Sequence, residues 1–123
     1  MRWYCFLSLC SFSCILCSVP VFNRLQKGNV SYWDIEAMSL VYALQGHVTS
    51  VRATGFLPDN VLISGAESGN ICLHDCRNAQ LINCINAHGK CVSGFADHSE
   101  GIYSSSWDGT VKLWDKRYWQ LLH

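Results

Sequence analysis

The chain has 123 residues, of which 50% are apolar and 15% are charged, and nine Lys or Arg residues balance nine Asp or Glu residues. This composition excludes an intrinsically disordered chain, and the lack of a basic excess removes the electrostatic basis for nucleic-acid binding. The length suits one small domain, so we expect a folded unit without a nucleic-acid partner.

The first 26 residues differ in character from the rest of the chain. They form a hydrophobic, cysteine-rich segment with no charged residue between Trp3 and Asn23. A short basic start followed by an apolar run is typical of a signal peptide, and the run approaches the length of a membrane-spanning helix. A hydrophobic strand pair and an aberrant or alternative N-terminal sequence are the other interpretations. A signal or anchor would direct the protein to the secretory pathway or a membrane.

Residues 27–123 contain an internal repeat. The segments "KGNVSYWD", "SGNICLHD" and "DGTVKLWD" align without gaps and end at Asp34, Asp75 and Asp115, so the repeat length is 41 and then 40 residues. Other residue types recur at the same spacing: Gly28, Gly69 and Gly109; His47 and His88; Leu40, Leu81 and Leu121. Such self-similarity predicts a repeat architecture for this part of the chain.

Each repeat is predicted to form four short strands. In the first complete repeat these are "SLVYAL", "VTSVRATGF", "VLISG" and "NICLHD". The strands are rich in apolar and β-branched residues, and the breaks between them fall at Gly46-His47, Pro58-Asp59 and Ser68-Gly69. Stretches such as "VLI" and "LINCI" are apolar on both faces, which predicts sheets stacked face to face. We therefore expect an all-β fold.

A repeat of about 40 residues with Gly-His near its start and Trp-Asp at its end resembles the WD-repeat family. The resemblance covers residues 28–123, with two complete repeats, the tail of one before them and the first strand of one after them. It implies a partial β-propeller of four-stranded antiparallel blades. Because a closed ring takes about 4 to 8 blades, we expect a fragment, a truncated isoform or predicted gene product, or an obligate oligomer.

The resemblance assigns a structural role to four polar residues of the second complete repeat. In WD repeats a Trp, a Ser or Thr, the His of Gly-His and a turn Asp form a buried hydrogen-bonded set, which corresponds here to Trp114, Ser104, His88 and Asp108. Buried polar groups need partners, and a closed chain of them fixes strand register. The same residue types form the Ser-His-Asp triad of hydrolases, which is the alternative. Because the sequence indicates no exposed nucleophile or oxyanion hole, we expect no enzyme.

The preceding repeat departs from this pattern. It retains Ser64 and His47 but has Ser68 in place of the Asp and His74 in place of the Trp. We therefore expect a weaker network there, with little charge-assisted hydrogen bonding.

Cysteine and histidine residues of the repeats raise the question of a metal site. The candidate ligands are Cys72, His74, Cys76, Cys84, His88 and Cys91. The first three alternate along one predicted strand and share a face. Zinc sites usually pair their ligands as C-x2-C or H-x3-5-H, a spacing that these residues lack. We expect buried free thiols, no metal and no cofactor.

By the same resemblance, the chain is a protein–protein interaction scaffold of the cytoplasm or nucleus. Loops and strand ends on a rigid frame carry the contacts of such proteins. Trp107 precedes a predicted turn, and it either anchors an interface as an exposed aromatic or packs against a neighbouring blade. The other candidates for partner binding are Arg52, Asp59, Asn60, Glu67, Asp97, His98 and Glu100.

A more specific partner is implied by "WDKR" at the end of the second complete repeat. It resembles the Trp-Asp-x-Arg motif of WD proteins that act as substrate receptors of cullin-RING ubiquitin ligases. By that resemblance Asp115 and Arg117 would contact the ligase adaptor, and "HDCR" at residues 74–77 is a degraded copy. Because Trp-Asp is nearly obligatory in these repeats and basic residues commonly follow it, the motif also arises by chance.

Overall fold

The computed structural model describes residues 3–7, 13–18, 28–34 and 39–123. They form eleven β-strands and one short 3-10 turn at Pro58–Asn60, and no α-helix occurs within these ranges. The strands are β1 (Trp3–Leu7), β2 (Ser13–Ser18), β3 (Val30–Asp34), β4 (Ser39–Leu44), β5 (Val51–Leu57), β6 (Val61–Ala66), β7 (Asn70–Asp75), β8 (Gln80–Asn86), β9 (Val92–His98), β10 (Gly101–Ser106) and β11 (Val111–Trp114).

The strands form three antiparallel sheets in which each strand pairs with its neighbour in the sequence. The first sheet contains β1 to β4, the second contains β5 to β8, and the third contains β9 to β11. Every described pairing within these sheets is antiparallel. The predicted all-β fold with four-stranded antiparallel units is confirmed, and the fold is a partial β-propeller.

The boundaries of the sheets differ from those of the sequence repeats by one strand. The strand that follows each repeat-ending aspartate returns to the preceding sheet, so β4 pairs with β3 and β8 pairs with β7. The recurring leucines mark this return, because Leu40 lies opposite Trp33 and Leu81 lies opposite His74. In the third sheet Leu121 bridges Trp114 in the same way, but as an isolated pair rather than within a strand.

Both faces of β6 in the second sheet are buried, whereas β8, which contains the apolar run "LINCI", is mostly exposed because no further sheet covers it in the described residues. On β6, Leu62 packs into one hydrophobic cluster with Val30 and Leu44 of the first sheet, whereas Ile63 packs into another with Ile102 of the third sheet. Adjacent residues of a strand point to opposite faces, so an uninterrupted apolar run is what a sheet between two others requires. Full burial of a Leu or Ile side chain stabilises a fold by about 1.5–3 kcal/mol.

Glycine turns precede β3, β7 and β11, and the first two contact the loop that leads to the next sheet. Gly28, Gly69 and Gly109 have positive φ angles of 86°, 87° and 83°. A Cβ atom at Gly28 would overlap the carbonyl oxygen of His47, and one at Gly69 would overlap that of His88. The amide of His88 also donates to the carbonyl oxygen of Gly69 at 3.0 Å. The recurring glycines and histidines are therefore two halves of one repeated contact between a turn and the loop that enters the next sheet.

Part of the hydrophobic N-terminal segment is described. Its two strands, β1 and β2, pair with each other, and β2 pairs with β3 of the first Trp-Asp segment. Within the described ranges no helix is long and apolar enough to cross a membrane. The signal-peptide hypothesis also involves residues 1–2, 8–12 and 19–26, which lie outside the described residues.

Candidate functional site

A chain of buried hydrogen bonds links two strands of the third sheet to the loop that precedes this sheet. Ser104 on β10 is fully buried, and its Oγ accepts a hydrogen bond of 2.8 Å from Nε1 of Trp114 on β11. The same Oγ lies 2.7 Å from Nε2 of His88, which enters from the loop after β8. Since the hydroxyl accepts from the indole, it is free to donate its own hydrogen to the imidazole. Three elements are thereby joined through one serine oxygen.

Asp108 completes this chain at the turn between β10 and β11. Its Oδ2 lies 3.3 Å from Nδ1 of His88 and accepts from the amide of Gly89 at 3.0 Å. Its Oδ1 accepts from the amide and the hydroxyl of Thr110 at 2.9 and 2.5 Å. The Thr110 hydroxyl is the largest influence that holds the pKa of Asp108 well below its ordinary value, although partial desolvation opposes it.

The protonation of His88 follows from these contacts. Burial lowers the pKa of His88, against the raising influence of Asp108, so the imidazole is neutral near pH 7. Its Nδ1 hydrogen faces Asp108 and also Thr110 Oγ1 at 3.0 Å, which leaves Nε2 to accept from Ser104. Sequence analysis missed Thr110, which its place after Asp-Gly in an Asx-type turn could have indicated.

Burial of these hydrogen-bonded side chains limits the reactions that they can catalyse. Their order of contacts, carboxylate to imidazole to hydroxyl, is that of a hydrolytic triad. However, Ser104 has no exposed surface and its oxygen is already engaged by Trp114. A nucleophile must reach the reacting carbon of a substrate, and this oxygen is enclosed. The geometry therefore favours a structural role, in which these hydrogen bonds hold the strands and the His88 loop together.

The second sheet carries a different version of the same network. His47 Nε2 lies 2.8 Å from Ser64 Oγ, and His47 Nδ1 lies 3.6 Å from Cys72 Sγ. His74 does not reach Ser64, because its Nε2 donates to the carbonyl oxygen of Gln45 at 2.8 Å, and its Nδ1 is buried without a described partner. Sequence analysis missed Cys72 as a partner of His47.

The two equivalent histidines differ in the group that faces Nδ1. Nδ1 of His88 faces the carboxylate of Asp108, whereas Nδ1 of His47 faces the Cys72 thiol, whose Sγ also lies 3.7 Å from the carbonyl oxygen of Gly46. Burial, followed by the neighbouring His74, lowers the pKa of His47 to about 4. His47 is therefore also neutral near pH 7, and its network contains no ionised group. Ser68 instead bonds within its own turn, through its hydroxyl to the amide of Asn70 at 3.5 Å.

The partner-binding candidates fall on two opposite ends of the sheets. One end, here called the upper rim, contains Arg52, Glu67 and Trp107, since β5 begins there and the β6–β7 and β10–β11 turns lie there. Arg52 and Glu67 form an ion pair with an Nε–Oε1 distance of 2.8 Å. Trp107 is 70% exposed, and its amide donates to the carbonyl oxygen of Cys91 at 3.0 Å.

The opposite end, here called the lower rim, contains the remaining candidates. They are Asp59, Asn60, Asp97, His98, Glu100, Asp115 and Arg117. Asp97 pairs with Lys116 at 2.5 Å, and His98 Nδ1 accepts from the amide of Glu100 at 3.3 Å. Asp115 Oδ1 accepts from the amides of Arg117 and Tyr118 at 2.6 and 2.9 Å. The candidates therefore constitute two surfaces rather than one.

Four cysteines of the repeats are free thiols. They are Cys72, Cys76, Cys84 and Cys91, of which all but Cys84 are buried. In the part of the chain that the structure describes, no group of three or more His, Cys, Asp or Glu side chains could hold a metal ion.

Comparisons with known proteins agree with this fold. The family model described as "WD domain, G-beta repeat" matches residues 38–75 and 79–115. The APC/C activator protein CDC20 of Saccharomyces cerevisiae is 31% identical over 96 residues, which are 75% of this chain and 16% of that protein. DmX-like protein 1 of Mus musculus is 31% identical over 101 residues, which are 77% of this chain and 3% of that protein.

Solved structures share the arrangement of the sheets. The crystal structure of the computationally designed Ika8 protein superposes with a TM-score of 0.80 at 24% identity, over 96% of this chain and 34% of that one. That identity supports the fold alone. The two family matches together cover more than half of the sequence, and the chain therefore belongs to the WD-repeat family.

Proposed function

We propose that the chain is a protein-interaction module of the WD-repeat type, and that its upper rim is the principal binding surface. Relatives such as CDC20, named an APC/C activator, contain the same repeats, although the chain spans only 16% of CDC20 and 3% of DmX-like protein 1. The WD-repeat family is generally a non-enzymatic scaffold. Enclosure of Ser104 supports a binding rather than a catalytic role.

The observation that carries this proposal is the rigid display of Trp107. Ser106 Oγ donates to the carbonyl oxygen of Cys91 at 2.9 Å and accepts from the amide of Asp108 at 3.2 Å, which fixes the turn on both sides of the indole. Large aromatics on a fixed backbone lose little conformational entropy on binding and dominate many interfaces. The nearby ion pair of Arg52 and Glu67 supplies a polar border.

Replacing Trp107 with alanine should remove bound partners while leaving the chain folded. Hot-spot aromatics contribute about 2 kcal/mol or more, so we expect about 30-fold weaker binding. Quantitative affinity purification of the full chain, followed by mass spectrometry, measures the recovery of each partner.

Tyr118→Ala is the matched control, because Tyr118 is 73% exposed but lies at the lower rim. The partners that Trp107→Ala loses should be recovered with Tyr118→Ala as with the unmodified chain. Equal recovery with all three proteins would exclude the upper rim as the binding surface.

A second candidate function concerns the lower rim. The guanidinium of Arg77 donates two hydrogen bonds to the carboxylate of Asp75, from Nε at 3.0 Å and from Nη2 at 2.9 Å. It is therefore already paired within the chain. Arg117 occupies the equivalent position, is exposed, and its guanidinium makes no hydrogen bond or ion pair within the described residues. An arginine held beside a carboxylate yet free to bind is what contact with a cullin-RING adaptor would require. Such a role would place the protein in the cytoplasm or nucleus.

Arg117→Ala should abolish co-purification of a cullin-RING adaptor, whereas Arg77→Ala should leave it unchanged. Both variants remove one arginine two residues after a repeat-ending aspartate, so they match in charge and position. Immunoblotting for the adaptor after purification of each full-length variant gives the result. Unchanged adaptor recovery with Arg117→Ala would exclude this candidate without affecting the proposal for Trp107.

A further inference from the structure

Two cysteines of the second sheet lie directly opposite each other. Cys72 on β7 is the cross-strand partner of Cys84 on β8. Directly opposed residues of antiparallel strands have Cα atoms about 4.5 or 5.5 Å apart, depending on the pair type, and disulfides form at Cα separations of about 4.4–6.8 Å. Either pair type therefore permits a bond between these two sulfurs without separating the strands.

The two thiols differ in access to solvent. Cys84 is exposed on β8, the outer strand of its sheet, whereas Cys72 is fully buried. Burial raises the pKa of Cys72, and the adjacent Cys84 thiol raises it further. Cys76 and Cys91, the other cysteines of the two complete repeats, lie outside the strands and have no cysteine as a cross-strand partner. The pair thus consists of one accessible and one enclosed thiol.

We propose that Cys84 and Cys72 form a two-cysteine exchange site for small disulfides of the glutathione class. The exposed sulfur of Cys84 reacts first, because a disulfide in solution can reach it and cannot reach Cys72. The enclosed sulfur then resolves the mixed disulfide, because it is already in place behind Cys84. The product is a disulfide between β7 and β8 that thiols can reduce again.

The small disulfide is the only oxidant that this exchange requires. Deprotonated Cys84 attacks one sulfur of the oxidant RSSR, which forms the Cys84–SR bond and releases one thiolate. Cys72 then attacks Cys84 Sγ and expels the second RS group. The proton of Cys84 is taken up by the first RS group and the proton of Cys72 leaves with the second, so both depart as RSH. Two protein thiols and RSSR thus become one protein disulfide and two RSH.

Peptide mapping of the full chain after treatment with oxidised glutathione tests this site. Trypsin cleaves after Arg52, Arg77 and Lys90, so Cys72 and Cys84 fall on the neighbouring peptides 53–77 and 78–90. After alkylation of free thiols, we expect these two peptides to be joined and to separate on reduction. Fragment ions from residues 73–75 distinguish Cys72 from Cys76, which should remain alkylated.

Variants and a denatured sample assign the two roles. Cys72→Ser should retain a glutathione adduct on Cys84, whereas Cys84→Ser should leave Cys72 unmodified. In the unmodified chain, a lasting glutathione adduct on Cys84 without the link would overturn the proposal. So would a link that forms only in concentrated guanidinium chloride. These outcomes are read from the unmodified chain and remain decisive even when a variant fails to fold.

Discussion

Replacing Gly69 with alanine is expected to destabilise the chain by about 2–5 kcal/mol. About 1–2 kcal/mol comes from a non-glycine residue at positive φ, and about 1–3 kcal/mol from forcing extra volume into a packed contact. The new Cβ would overlap the carbonyl oxygen of His88 and lie 2.9 Å from that of Lys90. These are backbone atoms, so the loop that enters the third sheet must move as a whole. Urea unfolding of the full chain measures the loss.

Gly109→Ala separates conformational strain from overlap. Gly109 has a φ of 83°, close to the 87° of Gly69, but no atom lies within 4 Å of the position that a Cβ atom would take there. We therefore expect only the cost of positive φ, about 1–2 kcal/mol. Equal losses for the two variants would contradict the close contact between the Gly69 turn and the His88 loop.

Replacing Trp114 with alanine is the second change with a large expected effect, a loss of about 3–5 kcal/mol. Its side chain is 95% buried, packs against Ile102 and other core residues, and donates to the enclosed oxygen of Ser104. Small domains are stable by only about 5–15 kcal/mol, so this substitution removes a large share of the total. Urea unfolding and near-ultraviolet circular dichroism measure the effect.

Two further variants divide this loss into its causes. Trp114→Phe keeps most of the packing but removes the donor to Ser104, for which we expect about 1–3 kcal/mol. Trp107→Ala is the control, because it removes an indole that is 70% exposed and should change stability by less than about 0.5 kcal/mol. Similar losses for Trp114→Ala and Trp107→Ala would contradict the buried position of Trp114.

Sequence analysis predicted the strands from apolar and β-branched runs that end at turn residues. The polar set of Trp114, Ser104, His88 and Asp108 came instead from the resemblance to WD repeats, and in the structure these four side chains lie in one chain of hydrogen bonds. Apolar runs such as that of β6 likewise indicated burial on both faces. Local pattern and spatial contact coincide wherever one repeated unit packs on the next.

Features that depend on pairing between strands could not be predicted in the same way. Alternation of apolar residues identifies a strand but not its neighbour, so the return of β4 and β8 to the preceding sheets appeared only in the structure. The division of Trp107 and Arg117 between opposite rims also follows from strand order. Cys72 gave no signal as a partner of His47, because a thiol is only a weak donor.

Hydrogen exchange of the tryptophan indoles tests most directly whether the Trp-Asp repeats fold into packed sheets in this chain. Nitrogen-15 NMR of the full-length protein resolves the indole N–H groups, and single Trp→Phe variants assign those of Trp114 and Trp107. The buried hydrogen bond to Ser104 predicts that the Trp114 indole exchanges at least about 100-fold more slowly than the exposed Trp107 indole. Equal exchange rates for the two indoles would contradict the buried hydrogen bonds of the third sheet. They would also contradict the rigid scaffold on which the proposed binding surface depends.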